Sequence, residues 1–165
     1  MVHLMEKRPG ISGFTGAFKE SVSKLPDGSK LVFAGSAAVC SPFAELLAYA
    51  VKDRNFELVF LPRANVSEAR MMRWSEGVGF SVTGEMGDPS NPGAVVLLGG
   101  LAMPKFGCPL AQVQETVKGL CTKDTMVVGV CFMGIFEREG WTKAIPFDSL
   151  INATMEATLN HRQGP

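Results

Sequence analysis

Histidine is nearly missing from this sequence. His3 and His161 are the only two in 165 residues, and both stand in terminal segments. A Ser-His-Asp or Cys-His relay in the core, or a His-rich zinc site, is therefore not expected. Charge of one sign is missing too: 16 Lys and Arg balance 16 Asp and Glu. Nucleic-acid binders carry a basic excess or stripe, so neither DNA nor RNA is an expected partner. No apolar run approaches the roughly 20 residues that cross a bilayer. Met1 to Gly16 also lacks the apolar core of a secretory leader. The expectation is a cytoplasmic protein with no membrane partner, whose four cysteines stay reduced. Familiar nucleotide signatures are absent as well. The first strand leads into Gly35-Ser36-Ala37-Ala38-Val39-Cys40, with one glycine where a dinucleotide fold has three, and no G-x-x-x-x-G-K-[ST] occurs. These residues name no cofactor.

What is present is a chain that is 46% apolar and long enough to bury a core without staples. Zero net charge combined with that apolar content predicts an exposed apolar patch, which a homo-oligomer would cover. Residues 1–14 read as an irregular arm. Phe14, Phe18, Val22 and Leu25 then recur at helical spacing, predicting a helix from Thr15 to Leu25. The runs Leu31 to Gly35, Phe56 to Leu61, Ala94 to Gly99 and Thr125 to Cys131 are almost wholly apolar, as in parallel strands covered on both faces. Ser41-Pro42 opens a helix to about Asp53, with Ser41 as its N-cap. Asn65 to Gly77 reads as a second helix. Phe80 to Glu85 alternates, as a strand near a sheet edge does. Cys108-Pro109 opens a helix to Leu120. Trp141 to Phe147 reads as a sixth strand, and Asp148 as the cap of a final helix to His161.

Strands alternating with helices predict one α/β domain over residues 1–165, a three-layer Rossmann-like architecture with a mostly parallel sheet of five or six strands. The link from Glu85 to Ala94 is too short for a parallel crossover. Either the strand before it is antiparallel or the loop holds one turn of helix.

Open parallel sheets place their sites where strand order reverses, at the carboxyl ends of the strands. The segments after Gly35, Gly99 and Cys131 are expected there. The first two share a pattern of strand, Gly, loop, Cys, Pro and helix. Two helix N-termini facing one crevice suit a carboxylate or phosphate. The expected ligand is therefore a small anion, with Gly35, Ser36, Ser41, Gly99, Gly100 and Lys105 as candidate binding residues. The plainer alternative is that these termini bind nothing, as in most βαβ units.

Cys40, Cys108 and Cys131 map to the same edge. Cys121 ends the helix that Cys108 begins, roughly 20 Å away, which excludes a disulfide between them. Three readings stand side by side for the other cysteines. They are buried small hydrophobes, as free cysteines commonly are. Or Cys40 and Cys108, at helix N-termini, have lowered pKa values and act as nucleophiles or redox sensors. Or Cys40, Cys108 and Cys131 hold a metal or cluster, although no C-x-x-C occurs. Catalytic candidates are Cys108, Lys105 and Cys40. Asp88, Glu85 and Glu137 are the remaining acid–base groups, and Lys105 serves as a base only if desolvated. Arg63 and Arg70, after the second strand, reach for the rim. Met71-Met72, Met103, Trp74 and Trp141 read as core or subunit interface. A non-catalytic interaction subunit therefore stands as a third function class beside ligand binding and thiol chemistry.

Gly99-Gly100-Leu101-Ala102-Met103-Pro104-Lys105 and Gly129-Val130-Cys131-Phe132-Met133-Gly134-Ile135-Phe136, with Trp141 and Phe147-Asp148, resemble a family of small uncharacterised proteins of methanogenic archaea. The resemblance covers the chain from about Phe14 onward. It implies a cytosolic archaeal protein and brings no catalytic residues with it. The anaerobic host it implies is compatible with an oxygen-sensitive thiol or cluster.

Overall fold

Five adjacent parallel strands form most of the sheet, and the topology follows from how the apolar runs of the inner four must be covered. A computed structural model describes residues 5–164. Its strands are β1 (Lys30–Gly35), β2 (Glu57–Pro62), β3 (Arg70–Ser75), β4 (Gly79–Met86), β5 (Ala94–Leu98), β6 (Met126–Phe132) and β7 (Ser149–Ala153). They make one seven-stranded sheet in the order β4-β3-β2-β1-β5-β6-β7. Strands β2, β1, β5, β6 and β7 are mutually parallel; β3 runs against them, and β4, antiparallel to β3, runs with them. The α/β, mostly parallel architecture is as expected, with seven strands in place of five or six.

Helices α1 (Gly10–Ser21) and α2 (Ser41–Ala50) cover one face. There Phe18, Val22, Ala44 and Leu47 pack on Leu31, Phe33, Val96, Val128 and Val130. Helices α3 (Leu110–Leu120), α4 (Ile135–Arg138) and α5 (Trp141–Ala144) cover the other. There Val113, Phe136 and Trp141 pack on Val32, Ala34, Val95, Leu97 and Val127. Odd and even residues of each strand thus enter opposite layers, which is why these runs are apolar throughout.

Five sequence expectations are corrected. The arm proposed for residues 1–14 becomes α1 from Gly10 onward, which also ends four residues before Leu25; residues 1–4, including His3, lie outside the described residues. Asn65 to Gly77 is not a helix but a 3-10 turn followed by β3. Gly77 (φ 77°) and Gly79 (φ 96°) make the hairpin turn into β4, and cross-strand pairs hold the two strands together. Trp74 stands opposite Phe80, and Arg73 grips Glu85 with two hydrogen bonds of 3.0 and 2.8 Å. Neither alternative for the short link from Glu85 holds. β4 is antiparallel only to β3 and so runs in the same direction as β5. Residues 87–93 join them without a helix, the Gly87 N–H donating to the Ala69 carbonyl and the Gly93 N–H to the Lys30 carbonyl. Trp141 to Phe147 starts as helix α5. Trp141 and Ile145, four residues apart, are both buried against Phe136 and its neighbours. Asp148 caps no helix: its Oδ2 accepts from the Val127 N–H at 2.7 Å, while its own N–H donates to the Val127 carbonyl at 2.8 Å. That pair docks β7 onto β6 where a final helix was expected.

Candidate functional site

The strand order reverses between β1 and β5, with α2 and α3 leaving on opposite faces of the sheet. This is the crevice expected to hold a ligand, and side chains fill its floor. Ser36 is 2% exposed, and its Oγ donates to the Gly100 carbonyl at 3.0 Å, sharing the proton with the Phe106 carbonyl. Cys40, also 2% exposed, packs its sulfur between Gly35 and Gly100. A Cβ on Gly100 would stand 2.3 Å from that sulfur, and one on Gly35 would stand 2.5 Å from Cys40 Cβ. Gly99 is opposed in the same way by Cys131 on the other face: a Cβ on Gly99 would stand 2.8 Å from Cys131 Cβ. The glycines of this edge are therefore places where cysteines approach the backbone. They are not openings for a ligand.

Gly35, Ser36, Gly99 and Gly100 are all buried, so four of the six expected binding residues form the floor beneath the surface. Ser41 is half-buried. It does not cap α2, whose N-cap is Cys40; its Oγ accepts from the Ala38 N–H at 3.0 Å and braces the turn. Lys105 is exposed, which removes the desolvation that a catalytic base would need.

The cysteines do not meet. Cys40 sits in the α1/α2 layer, whereas Cys131 and Cys108 belong to the α3/α4 layer. Among the described residues no three His, Cys, Asp or Glu side chains converge on a possible metal position. The shared three-cysteine centre is thus not assembled. The lowered thiol pKa is corrected as well. Burial pushes the Cys40 thiol up against the backbone hydrogen bonds from Ser36 and Gly100. Burial likewise raises Cys108, against the Arg63 charge. It raises Cys131, against N–H groups at the start of α4. In each case desolvation outweighs the groups that favour the thiolate. Cys121 is raised by burial and by Asp148. All four are free thiols.

Arg63 does reach this edge, and the chain holds it there firmly. Arg63 and Ala64 both adopt left-handed backbone (φ 52° and 57°), unusual for residues other than glycine. Several bonds over-determine the turn. The Arg63 N–H donates to the Gly35 carbonyl at 2.8 Å. Gln112 Nε2 donates to the Arg63 carbonyl at 3.1 Å, and Thr116 Oγ1 to the Ala64 carbonyl at 2.9 Å. Arg63 Nη2 then donates to the Gly107 carbonyl at 3.1 Å, beside Cys108 and the start of α3. The guanidinium is exposed and makes no ion pair among the described residues. The same holds for Lys105 on the neighbouring loop. Helix α3 begins at Pro109 with no side-chain cap. Arg70 lies instead in β3, against Met86. Glu85 is bound to Arg73 and Asp88 to Ser90, both away from this edge. Glu137 is exposed on α4.

Comparison with known proteins agrees with the resemblance seen in the sequence. Residues 9–156 match a family described as an uncharacterized protein conserved in archaea, DUF2124. An uncharacterized protein of Methanothermobacter thermautotrophicus is 37% identical over 150 residues, covering 89% of this chain and 91% of its own length. One from Methanocaldococcus jannaschii is 33% identical over 156 residues, covering 94% and 92%. The crystal structure of a protein of unknown function from Methanothermobacter thermautotrophicus aligns with a TM-score of 0.87 at 33% identity, over 98% of this chain and 99% of that one.

Proposed function

The chain belongs to DUF2124, a family of uncharacterized proteins conserved in archaea, and from the site it carries we propose that it is a cytoplasmic protein that binds a small anionic ligand at the carboxyl edge of its sheet. The observation that carries this reading is Arg63. A guanidinium fixed by a strained, heavily bonded turn, exposed and without a carboxylate partner, is poised for an anion. Lys105 and the uncapped first turn of α3 add donors beside it. The ligand rests on these groups, above the floor formed by Ser36, Gly99, Gly100 and Cys40. With the thiols held neutral, the site binds and orients; no nucleophilic step is assigned to it.

Thermal unfolding in increasing inorganic phosphate and citrate tests the reading. A ligand that binds only the folded state raises Tm with its concentration. The expected result is a saturable rise that Arg63→Gln and Lys105→Gln each diminish. An equal rise in both variants overturns it.

A second reading, self-association, rests on a different observation. Met133, Met155 and Leu159 are 52%, 61% and 78% exposed, and the Met155 N–H, just past the edge strand β7, donates to Met133 Sδ at 3.4 Å. We propose that a second copy covers them. A monomer by light scattering at all accessible concentrations refutes this, and a dimer broken by Met155→Gln with Leu159→Gln supports it.

A further inference from the structure

A groove of about 490 Å³ lies at the opposite edge of the sheet, between the end of α2 and the β3–β4 hairpin. Its size falls in the range of small-molecule sites, roughly 300–1,000 Å³. Val51, Phe56 and Leu58, all buried, floor it, with Phe80 alongside. Its wall is Trp74, which is 44% exposed although a tryptophan has a large apolar surface to hide. Trp74 is fixed edge-on by Phe80 (centroids 5.3 Å apart, 74° between planes) and flanked by the nearly parallel Tyr49 ring, centroid 6.2 Å away.

The rim is polar and rigid. Arg54 pins residues 52–55 to the neighbouring turn: its Nε donates to Asp27 at 2.6 Å, its Nη2 to the Leu25 carbonyl, and its guanidinium lies over Phe56. Its own carbonyl accepts from the Gly28 N–H at 3.0 Å. Asn55 follows in left-handed backbone, φ 52°. With Arg54 facing away, Asp53 and Asn55 line the groove. Both are exposed, and neither side chain has a hydrogen bond or ion pair among the described residues. Lys52, by contrast, is occupied by the Tyr49 hydroxyl and ring.

We propose that this groove binds a free planar heteroaromatic molecule with a guanine-like edge, its ring stacked on Trp74 and its N–H groups donated to Asp53. An aromatic wall beside an apolar floor suits a flat ring. A carboxylate offers two acceptors to an adjacent ring N–H and exocyclic amino group, and Asn55 supplies both a donor and an acceptor. Glu76, whose carboxylate accepts from Trp74 Nε1 at 3.4 Å, adds negative charge next to the ring. Together with Asp53 it outnumbers the one cation of the lining, Lys52, and so disfavours a phosphate backbone; a free ring is the ligand and not a nucleic-acid strand. The site is independent of the anion site around Arg63.

Trp74 is also the reporter, because the other tryptophan, Trp141, is 4% exposed and packed on Phe136. Guanosine titrated into the full chain should quench the Trp74 emission saturably. Inosine keeps the ring N–H but lacks the exocyclic amino group, and the loss of that one arm of the bidentate contact should weaken binding about tenfold. Calorimetry with Asp53→Asn should erase that preference, and Trp74→Leu should abolish binding; unchanged Trp141 emission confirms that Trp74→Leu is folded. Absence of saturable quenching, equal affinity for inosine, or guanosine binding that survives Trp74→Leu overturns the proposal.

Discussion

Placing a methyl group on Gly100 tests whether the crevice floor is packed as described. The new Cβ would lie 2.3 Å from Cys40 Sγ, well inside contact distance, while Ser36 Oγ stands at 3.4 Å. Gly100 does not have positive φ, so alanine suits its backbone and the cost is steric. Overpacking of this kind costs about 1–3 kcal/mol. Replacing Cys40 with alanine removes the opposing sulfur and on its own costs about 1 kcal/mol of burial. Combined, Gly100→Ala and Cys40→Ala put a methyl group where the sulfur stood. That is a nearly volume-conserving exchange, and the pair should fall within about 1.5 kcal/mol of the parent. The coupling between the two sites is therefore favourable by about 2 kcal/mol, well above the scatter for independent sites. Gly35→Ala is the internal control. Its Cβ would stand 2.5 Å from Cys40 Cβ, which alanine keeps, besides 3.0 Å from the sulfur, so Cys40→Ala should rescue it much less than it rescues Gly100→Ala. Midpoints of chemical denaturation for the parent, three single and two double variants give every value needed. Gly100→Ala costing the same with Cys40 as with Ala at that position would refute the packing argument.

Ser36→Ala leaves the Gly100 and Phe106 carbonyls without their buried donor. It should cost about 1–3 kcal/mol and speed amide exchange over residues 101–108, whereas exchange unchanged there argues against a latch. Glu85 is held below the usual carboxylate range by its hydrogen bonds from Arg73. The stability from that pair is present above the unfolded-state value and lost as pH falls through the lower folded-state value. Glu85→Gln should thus be less stable than the parent at neutral pH and match it in acid, and a pH-independent difference contradicts the pairing. Iodoacetamide at pH 8 should label Cys108 and Cys121 slowly, and Cys40 and Cys131 only on unfolding. Arg63→Gln should slow Cys108 further and leave Cys121 unchanged, because only Cys108 feels that charge. Mass spectrometry of the labelled peptides reads both outcomes.

The parts of the fold legible in the sequence are those where one local signal suffices. β1, β2, β5 and β6 announce themselves as apolar runs because helices cover both faces. The edges were less legible. Met71-Met72 and Trp74 mimic a helical stripe, and only the pairing of β3 with β4 makes them strand. Asp148 has the look of a helix cap, yet its carboxylate meets the N–H of Val127, 21 residues away. The candidate site shows the same division. Its location at the ends of β1 and β5 followed from topology. That Cys40 and Cys131 fall in opposite layers depends on which face each helix covers, which no local pattern states. Arg63 was visible as a residue near the rim, but the left-handed turn that aims it depends on Gln112 and Thr116, far along the chain. The aromatic groove has no local signature, because Tyr49, Trp74 and Phe80 come together only through the hairpin.

The central claim is that an anion rests on Arg63 and the start of α3. Titration of the nitrogen-15-labelled protein with inorganic phosphate tests it residue by residue. The account predicts saturable shifts of the Arg63 side-chain N–H and of the Leu110 and Ala111 amides, with the Trp74 indole unmoved. Shifts spread evenly over exposed lysines, or none that saturate, would contradict it.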